Sequence, residues 1–297
     1  MPLLRSYLFA PGNSPSLLDK VFRTDADAVV LDLEDAVPEA EKASARRLVA
    51  GAIAQRENGS SSARTGPVPF VRINSVGSTH WRADLDAVIG PGLRGIRLAK
   101  TESLESLCRV HAALTDRERT LGLEAGSVSV VATIETARGV QNLDSLIRAP
   151  RLRGFTFGAA DFCADISADP GDEVATLHAA SRLVIASRAG RLAPPVASVF
   201  THLDDLEALR IDTERQKRLG FFGRSAIHPR QVSIINKVFL PTDAEVAAAR
   251  ETVAAYEAAE RGGSGVTRLG GQFVDLAVVR RSRAILDLSE HGRREQA

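Results

Sequence analysis

Short runs of mostly apolar, β-branched residues recur along the chain, and a longer stretch with helical spacing follows most of them. Strands that are apolar on both faces and separated by helices are typical of a parallel sheet covered by helices. The strand candidates are residues 6–10, 28–33, 69–74, 95–100, 128–135, 154–158, 195–199 and 222–228.

Eight such strands, whose starts lie 22 to 41 residues apart, fit a closed (β/α)8 barrel, the TIM-barrel fold. An open doubly wound sheet is the alternative, but no strand candidate is followed by the G-x-G-x-x-G turn of that fold. The Gly/Ser-rich segment 57–67 lies between the second helix and the third strand, where we expect a surface loop. The sequence therefore predicts an α/β protein of the TIM-barrel class.

A C-terminal tail extends beyond the eighth strand. Two helix candidates, 243–262 and 276–292, frame a glycine-rich segment. We predict a barrel domain over residues 1–241 and a helical extension, or lid, over 242–297. The extension is expected to pack on the barrel wall or to reach a neighbouring subunit.

The formal net charge of +1 indicates no field that would attract nucleic acid or an anionic membrane. No apolar run approaches the roughly 20 residues of a spanning helix, and the N-terminus does not have the pattern of a signal peptide. Two isolated cysteines, Cys108 and Cys163, indicate neither a disulfide framework nor a zinc cage. We expect a cytoplasmic enzyme or binding protein.

Polar side chains end several of the otherwise apolar strands. In a barrel, the C-terminal ends of all strands open onto one face, so these side chains are expected to converge on one pocket. They are Asp32, Glu34 and Asp35 after the second strand, Arg72 and Asn74 after the third, Lys100 after the fourth, Glu135 after the fifth, Asp161 after the sixth and His228 after the eighth.

Glu135 and Asp161 are hard oxygen donors without cysteine or clustered histidine beside them, which suits Mg²⁺. Arg72 could bind a substrate carboxylate or carbonyl through paired hydrogen bonds, and Arg5 could do the same at the rim.

Structural roles for the same residues are also open. Glu135 could cap the helix that follows it, and Lys100 could be an ion-pair partner. At least one of the acids Asp32, Glu34 and Asp35 could bind backbone or pair with Lys42 or Arg46. His228, which precedes a proline, is expected to order its loop, and Cys163 to be a packing residue.

The motifs RSYLFAPGN, VVLDLEDAV, VRIN, ATIETARG, FGAADF and LGFFGRSAIHPRQV resemble, in order and spacing, the citrate lyase beta-subunit-like proteins of the HpcH/HpaI aldolase family. The resemblance covers residues 4 to about 240, within the phosphoenolpyruvate-mutase-like superfamily. It implies Mg²⁺ on Glu135 and Asp161, substrate anchoring by Arg72, and a metal outer shell of Asp32, Glu34 and Asp35. It also implies cleavage of 3-hydroxyacyl thioesters and assembly as trimers or hexamers.

Two departures from that family concern the pocket mouth: Ala197 stands where relatives commonly carry aspartate, and Ala160 where they often carry an acid. They leave the metal prediction intact but put the usual substrate in question. The segment GGQFVD resembles a lid of malyl- and citramalyl-CoA lyases, which makes Asp275 a candidate that enters a neighbouring subunit's site.

The resulting hypothesis is a Mg²⁺-dependent retro-Claisen or aldol-type lyase acting on a CoA or carrier-protein thioester. Arg72 stabilises the enolate, and Glu34, Asp35 or Asp275 are the acid–base candidates. The predicted substrate-binding residues are Arg5, Asp32, Arg72, Asn74 and Lys100. The alternatives are an aldolase of free 2-keto or hydroxy acids, a carrier-dependent subunit, or a non-catalytic barrel.

Overall fold

A computed structural model describes the backbone of residues 3–58 and 66–294 and the side chains of 3–58 and 66–290. Seven parallel strands form one sheet in the order β6-β5-β4-β3-β2-β1-β7. They are β1 (Ser6–Pro11), β2 (Ala28–Asp32), β3 (Val68–Ile73), β4 (Gly95–Leu98), β5 (Ser129–Ile134), β6 (Leu152–Phe157) and β7 (Arg224–Ala226).

The segment predicted as the seventh of eight strands, 195–199, closes the ring between β6 and β7. Val196 forms a parallel bridge with Thr156, and Ala197 forms one with Arg224. The segment is too short to count as a strand because Pro194 and Pro195 have no backbone N–H with which to extend a ladder. The TIM-barrel prediction is confirmed, with the seventh strand reduced to this pair of bridges.

Helices follow the strands and cover the outside of the barrel. They are α1 (Pro15–Val21), α2 (Lys42–Asn58), α3 (Trp81–Val88), α4 (Leu104–Thr120), α5 (Ala137–Gln141), α6 (Leu143–Leu146), α7 (Ala159–Asp165), α8 (Glu173–Ala189), α9 (Leu206–Leu219) and α10 (Pro229–Phe239). Side-chain caps mark the starts of several: Ser103, Thr136, Asp172 and Asp205 each accept a hydrogen bond from a backbone N–H of the first turn.

The barrel interior is packed with side chains from several strands, including Tyr7, Val30, Phe70, Val131 and Val196. All five residues of β2 are buried, which agrees with the continuous apolar run in the sequence. The strands therefore hold their C-terminal ends in fixed positions, which is the requirement for a precise site at that face.

The chain divides into two compact units, residues 1–236 and 237–297. The second contains α11 (Asp243–Arg261), an antiparallel hairpin of β8 (Thr267–Leu269) and β9 (Gln272–Val274), and α12 (Leu276–Arg294). Tyr256, Val274 and Val279 form its own small core. The predicted boundary at 241/242 falls between α10 and α11, and the lid role of the extension stays a prediction.

Two remaining points concern the predictions from composition and patterning. Within the described residues, none of the helices is both long and apolar enough to span a membrane. The predicted surface loop 57–67 falls largely outside the part of the chain that the structure describes.

Candidate active site

Glu135 follows directly after β5 and is buried, with 3% of its surface exposed. Its Oε1 accepts a hydrogen bond from the backbone N–H of Lys100, at 2.6 Å. Lys100 has a φ of +46°, and this left-handed conformation is uncommon for a residue with a side chain. The chain turn after β4 therefore presents a backbone donor to the Glu135 carboxylate.

Close packing around Glu135 depends on Gly158, which directly follows β6. A Cβ atom at position 158 would lie 2.6 Å from both Cβ and Oε2 of Glu135. Gly158 also begins α7, whose first turn carries the exposed Asp161. The backbone N–H of Ala159 donates to Ser198 Oγ, so the bridge segment 195–199 helps to hold this helix start.

Burial raises the pKa of Glu135 to about 7. The Lys100 N–H and the charge of Arg72 act in the opposite direction, whereas the negative charges of Glu34 and Asp161 act in the same direction as burial. A buried carboxylate in this condition is stabilised in its ionised form by a cation. Two carboxylates supplemented by water and substrate oxygens fit Mg²⁺. Within the described residues there is no group of three or more His, Cys, Asp or Glu arranged to hold a metal.

Arg72, near the end of β3, is held by Asp32 at the end of β2. Its Nε and Nη2 donate to the two Asp32 oxygens at 2.7 and 2.6 Å, and its Nη1 lies 3.1 Å from Glu34 Oε2. Burial lowers the pKa of Arg72, but the hydrogen bonds and charge of Asp32 outweigh it and raise the pKa above the usual range. Arg72 is therefore a permanently charged group whose orientation is fixed.

The acids of the DLED segment are Asp32, Glu34 and Asp35, and they share the cations Arg72 and Lys100. Asp32 also accepts hydrogen bonds from the backbone N–H of Glu34 and of Ala36, at 3.0 and 3.3 Å. The Lys100 ammonium group lies 2.5 Å from Glu34 Oε1 and 3.3 Å from Asp35 Oδ1. Burial raises the pKa of Glu34, although Arg72 and Lys100 act in the opposite direction. Strands β2 to β5 thus bring Asp32, Glu34, Arg72, Lys100 and Glu135 into one cluster of charges.

Comparison with known proteins agrees with this geometry. The profile of the HpcH/HpaI aldolase/citrate lyase family matches residues 5–229. The chain belongs to that family. It is 36% identical over 291 residues to citrate lyase subunit beta of Leuconostoc mesenteroides subsp. cremoris, covering 97% of this chain and 93% of the relative.

Two further relatives of this HpcH/HpaI family chain extend the comparison. L-malyl-CoA/beta-methylmalyl-CoA lyase of Cereibacter sphaeroides is 33% identical over 307 residues, 96% of this chain and 94% of the relative. The crystal structure of protein CitE from Mycobacterium tuberculosis, in complex with magnesium, acetoacetate and coenzyme A, has a TM-score of 0.77 at 27% identity and covers 97% of this chain and 98% of that one.

Not every predicted site residue of this family member lies in the cluster. Arg5 precedes β1 and is bonded to Asp27, which precedes β2; its N, Nε and Nη2 lie 2.6 to 2.8 Å from the carboxylate oxygens. Both residues therefore lie at the N-terminal ends of their strands, opposite the pocket face. The structure does not bring Arg5 to the pocket, because residues before a strand and residues after it lie at opposite ends of a barrel.

Asn74 follows β3, but its amide nitrogen forms hydrogen bonds within the barrel. Nδ2 donates to Asp84 Oδ2 at 2.7 Å and to the Leu33 carbonyl at 2.8 Å. Arg46 holds the other Asp84 oxygen at 2.7 Å. A ligand can meet the Asn74 side chain only through its Oδ1 atom, as a hydrogen-bond acceptor.

The structural alternatives for neighbouring residues are resolved in detail. Lys42 and Arg46 do not pair with the DLED carboxylates: Lys42 Nζ donates to the carbonyls of Leu33 and Glu34, both at 2.9 Å. His228 Nδ1 accepts a hydrogen bond from the Arg230 N–H, as expected for a residue that orders its loop. Asp275 lies in the second unit, where its Oδ1 accepts the N–H groups of Ala277 and Val278 at the start of α12.

Sequence reasoning missed two contributions to this site. The sequence signal for Gly158 is the glycine of FGAAD, but its contact with Glu135 requires the approach of β5 and β6. The second is Arg97 of β4, a buried arginine on the strand next to Arg72. Its signal is a single charged residue within the apolar run GIRLA.

Proposed function

We propose that this protein is a Mg²⁺-dependent carbon–carbon lyase that cleaves or forms a 3-hydroxyacyl thioester such as malyl-, citramalyl- or citryl-CoA. The observation that carries the proposal is the buried Glu135 carboxylate, electrostatically coupled to Asp161, with a pKa near 7 in the absence of a cation. The names of the relatives, citrate lyase subunit beta and malyl-CoA lyase, support the same reaction class.

Glu135 and Asp161 would hold the Mg²⁺ ion. When bound, Mg²⁺ supplies a Lewis acid that polarises a substrate carbonyl and lowers the pKa of a substrate hydroxyl. The Lys100 N–H fixes one oxygen of Glu135, and Gly158 leaves room for the other. These two features keep the carboxylate oriented before any ligand arrives, which favours rapid chemistry.

Arg72 would stabilise the enolate that forms when the bond next to the thioester carbonyl breaks. Two of its N–H bonds go to Asp32, and Nη1, which lies 3.1 Å from Glu34 Oε2, has a second N–H for a substrate oxygen. Asp32 acts here as a positioning residue, because it sets the plane of the guanidinium. Loss of one such oxyanion donor typically costs about 3 kcal/mol in the transition state.

A carboxylate would move the proton to or from the acyl carbon. Glu34 is the candidate within the cluster, because it is buried beside Arg72 and Lys100 and burial raises its pKa above the usual value. Lys100 lies against both Glu34 and Asp35 and can stabilise the charge left by proton transfer. Asp275 of a neighbouring subunit is the other candidate.

Assembly and location complete the proposal. We infer a cytoplasmic homo-oligomer, a trimer or hexamer, in which residues 242–297 close the site as a lid. Apolar side chains exposed on α8 support association: Val174 is 76% exposed, Ile185 64% and Leu177 50%. Light scattering coupled to size-exclusion chromatography measures the oligomer mass directly.

The function is tested by assaying the purified protein on malyl-, citramalyl- and citryl-CoA, on the corresponding free acids and on carrier-protein thioesters, with and without Mg²⁺. We expect cleavage of a thioester only with Mg²⁺, and its loss in Glu135→Ala and Asp161→Ala variants that remain folded. Cleavage of free acids alone would point to the keto-acid aldolase alternative. Normal turnover in either variant would refute the metal assignment, and Mg²⁺ binding without turnover of any substrate would favour a non-catalytic barrel.

A further inference from the structure

Arg97 lies in the middle of β4 and is completely buried. Its register partner on β3 is Arg72, and neighbouring strands are about 4.8 Å apart. Paired residues of parallel strands project to the same side of the sheet, so both arginines project into the barrel interior. The proposed site therefore has a second cation beside the arginine that binds substrate.

The guanidinium of Arg97 is only partly bonded. Its Nη1 donates to Ser225 Oγ at 3.0 Å, whereas the buried Nε and Nη2 have no hydrogen-bond partner within the described residues. Aromatic rings take the place of such partners: the guanidinium carbon lies 4.3 Å from the Tyr7 ring centre and 5.5 Å from that of Phe9. No carboxylate in the described part of the chain forms an ion pair with it.

The two arginines share one aromatic neighbour. The guanidinium carbon of Arg72 lies 5.2 Å from the same Phe9 ring centre. The pKa of Arg97 is lowered to about 10, mainly by burial. Tyr7 acts in the opposite direction, and the charge of Arg72 contributes to the lowering. Arg97 thus remains protonated at neutral pH, and its charge, unlike that of Arg72, is not neutralised by a carboxylate.

We propose that Arg97 is a positioning residue that directs Arg72 toward Asp32 and strengthens the binding of an anionic substrate in the pocket. Its charge repels the Arg72 guanidinium toward Asp32, and the shared Phe9 ring limits the sideways movement of both groups. Inside a protein, a unit charge about 10 Å away changes the affinity for another charge about tenfold. This inference rests on the proposed function, because it concerns the ions that the same pocket would bind.

An unpaired buried charge has opposite effects on ligands of opposite sign, and a merely structural residue does not. Removing the charge should tighten Mg²⁺ binding, because one repulsive charge is lost. It should weaken binding of a keto-acid anion, because an attractive charge is lost and Arg72 is less constrained. A general loss of packing would weaken both ligands together.

The test is isothermal titration of the folded full-length protein with Mg²⁺ alone, and then with pyruvate at saturating Mg²⁺. Arg97→Met removes the charge at similar volume, and Arg97→Gln does so while retaining an amide donor for Ser225. We expect the dissociation constant of Mg²⁺ to fall by about a hundredfold, because the ion carries two charges, and that of pyruvate to rise by about tenfold. Arg97→Lys, titrated at pH 6 so that its ammonium group keeps the proton, should stay within about threefold of wild type for both.

Arg224→Met is the matched control. Arg224 is a second arginine with only 3% exposure, but it is paired with Asp212 and contacts Thr213 of α9, away from the proposed site. Its loss should lower the melting temperature and leave both dissociation constants unchanged. Parallel weakening of both ligands in the Arg97 variants, or no change in either, would overturn the inference. Failure of the wild-type protein to bind Mg²⁺ would refute the proposed function itself, and this inference with it.

Discussion

At the scale of single residues, Glu135 illustrates a conflict between stability and function. The carboxylate is buried, and within the described residues one hydrogen bond, from the Lys100 N–H, reaches it. A buried charge with so little support destabilises the fold, and the raised pKa is the measure of that cost. We interpret the cost as the property that makes the site receptive to a divalent cation.

The first prediction concerns Glu135→Gln in metal-free protein. Because the folded pKa of Glu135 is about 7 and the usual pKa of a glutamate is 4.5, the stability that the protonated carboxyl contributes below about pH 4.5 is lost as the pH rises through 7. Glutamine cannot ionise, and its amide oxygen can still accept the Lys100 N–H. We expect the variant to be more stable than wild type at pH 8, by up to about 3 kcal/mol, and equally stable near pH 4.5.

Urea denaturation in the presence of chelator, at pH 8 and at pH 4.5, measures this difference in unfolding free energy. With Mg²⁺ in place of chelator at pH 8, we expect the wild type to be more stable than the variant. Wild type should gain stability from Mg²⁺ at pH 8, since a ligand stabilises the state that binds it, and Glu135→Gln should gain little. A variant that is less stable than wild type in chelator at pH 8 would contradict the assigned burial cost.

At the scale of elements, the strands of the barrel are the part of the structure that the sequence predicts best. The candidates 28–33, 69–74 and 128–135 correspond to β2 (Ala28–Asp32), β3 (Val68–Ile73) and β5 (Ser129–Ile134). Buried strands are apolar on both faces, so their limits are visible as changes in composition. The segment 195–199 departs from this pattern because its position in the ring is fixed by its neighbours and its prolines limit pairing.

The site was predictable only in part, for a physical reason. That Glu135, Asp161 and Arg72 would lie on one face follows from the rule that parallel strands share an end. The backbone donor of Lys100 and the contact of Gly158 with Glu135 depend on a positive φ and on interatomic distances. Neither property is encoded in residue spacing. Arg5, in contrast, precedes β1, so the same rule about strand ends already places it opposite the pocket.

The second prediction concerns the junction of β6 and α7. Gly158→Ala should displace the Glu135 side chain, because the new Cβ would lie 2.6 Å from its Cβ and Oε2. Backbone strain is not the cause, since φ at Gly158 is −101°. We expect Mg²⁺ binding to weaken at least tenfold and unfolding free energy to fall by about 1–3 kcal/mol.

Calorimetric titration with Mg²⁺ and urea denaturation check the two expectations, and Gly51→Ala is the control. Gly51 lies within α2, and a Cβ there meets nothing within 4 Å. Alanine at 51 should stabilise the protein by about 0.5–1 kcal/mol and leave Mg²⁺ affinity unchanged. Unchanged Mg²⁺ affinity in Gly158→Ala would show that Glu135 does not need its present position to bind the ion.

At the scale of the whole molecule, the proposed lid role of the second unit depends on Asp275. Asp275 caps α12 through Oδ1 in its own chain, and a cap leaves the second carboxylate oxygen available to another partner. Asparagine is as good an N-cap as aspartate, so Asp275→Asn retains the helix start and removes only the charge and the capacity to accept a proton. The substitution therefore separates a structural role from a chemical one.

The last prediction is that Asp275→Asn lowers turnover far more than Mg²⁺ affinity, and that activity returns in mixed oligomers. If Asp275 enters a neighbouring subunit's site, an Asp275→Asn subunit supplies an intact Glu135 and a Glu135→Ala subunit supplies an intact Asp275. When the two variants mix randomly in equal amounts, about one quarter of the sites combine an intact Glu135 with an intact Asp275 from the neighbouring subunit. The mixed oligomers should therefore have about one quarter of the wild-type activity. The measurement is thioester cleavage by the co-expressed variants against each variant alone.

If Asp275 acts within its own chain, no mixed oligomer contains a complete site, so activity that stays at the level of the single variants would exclude the intersubunit role. An Asp275→Asn enzyme with an unchanged rate would remove Asp275 from the mechanism and leave Glu34 and Asp35 as the remaining acid–base candidates.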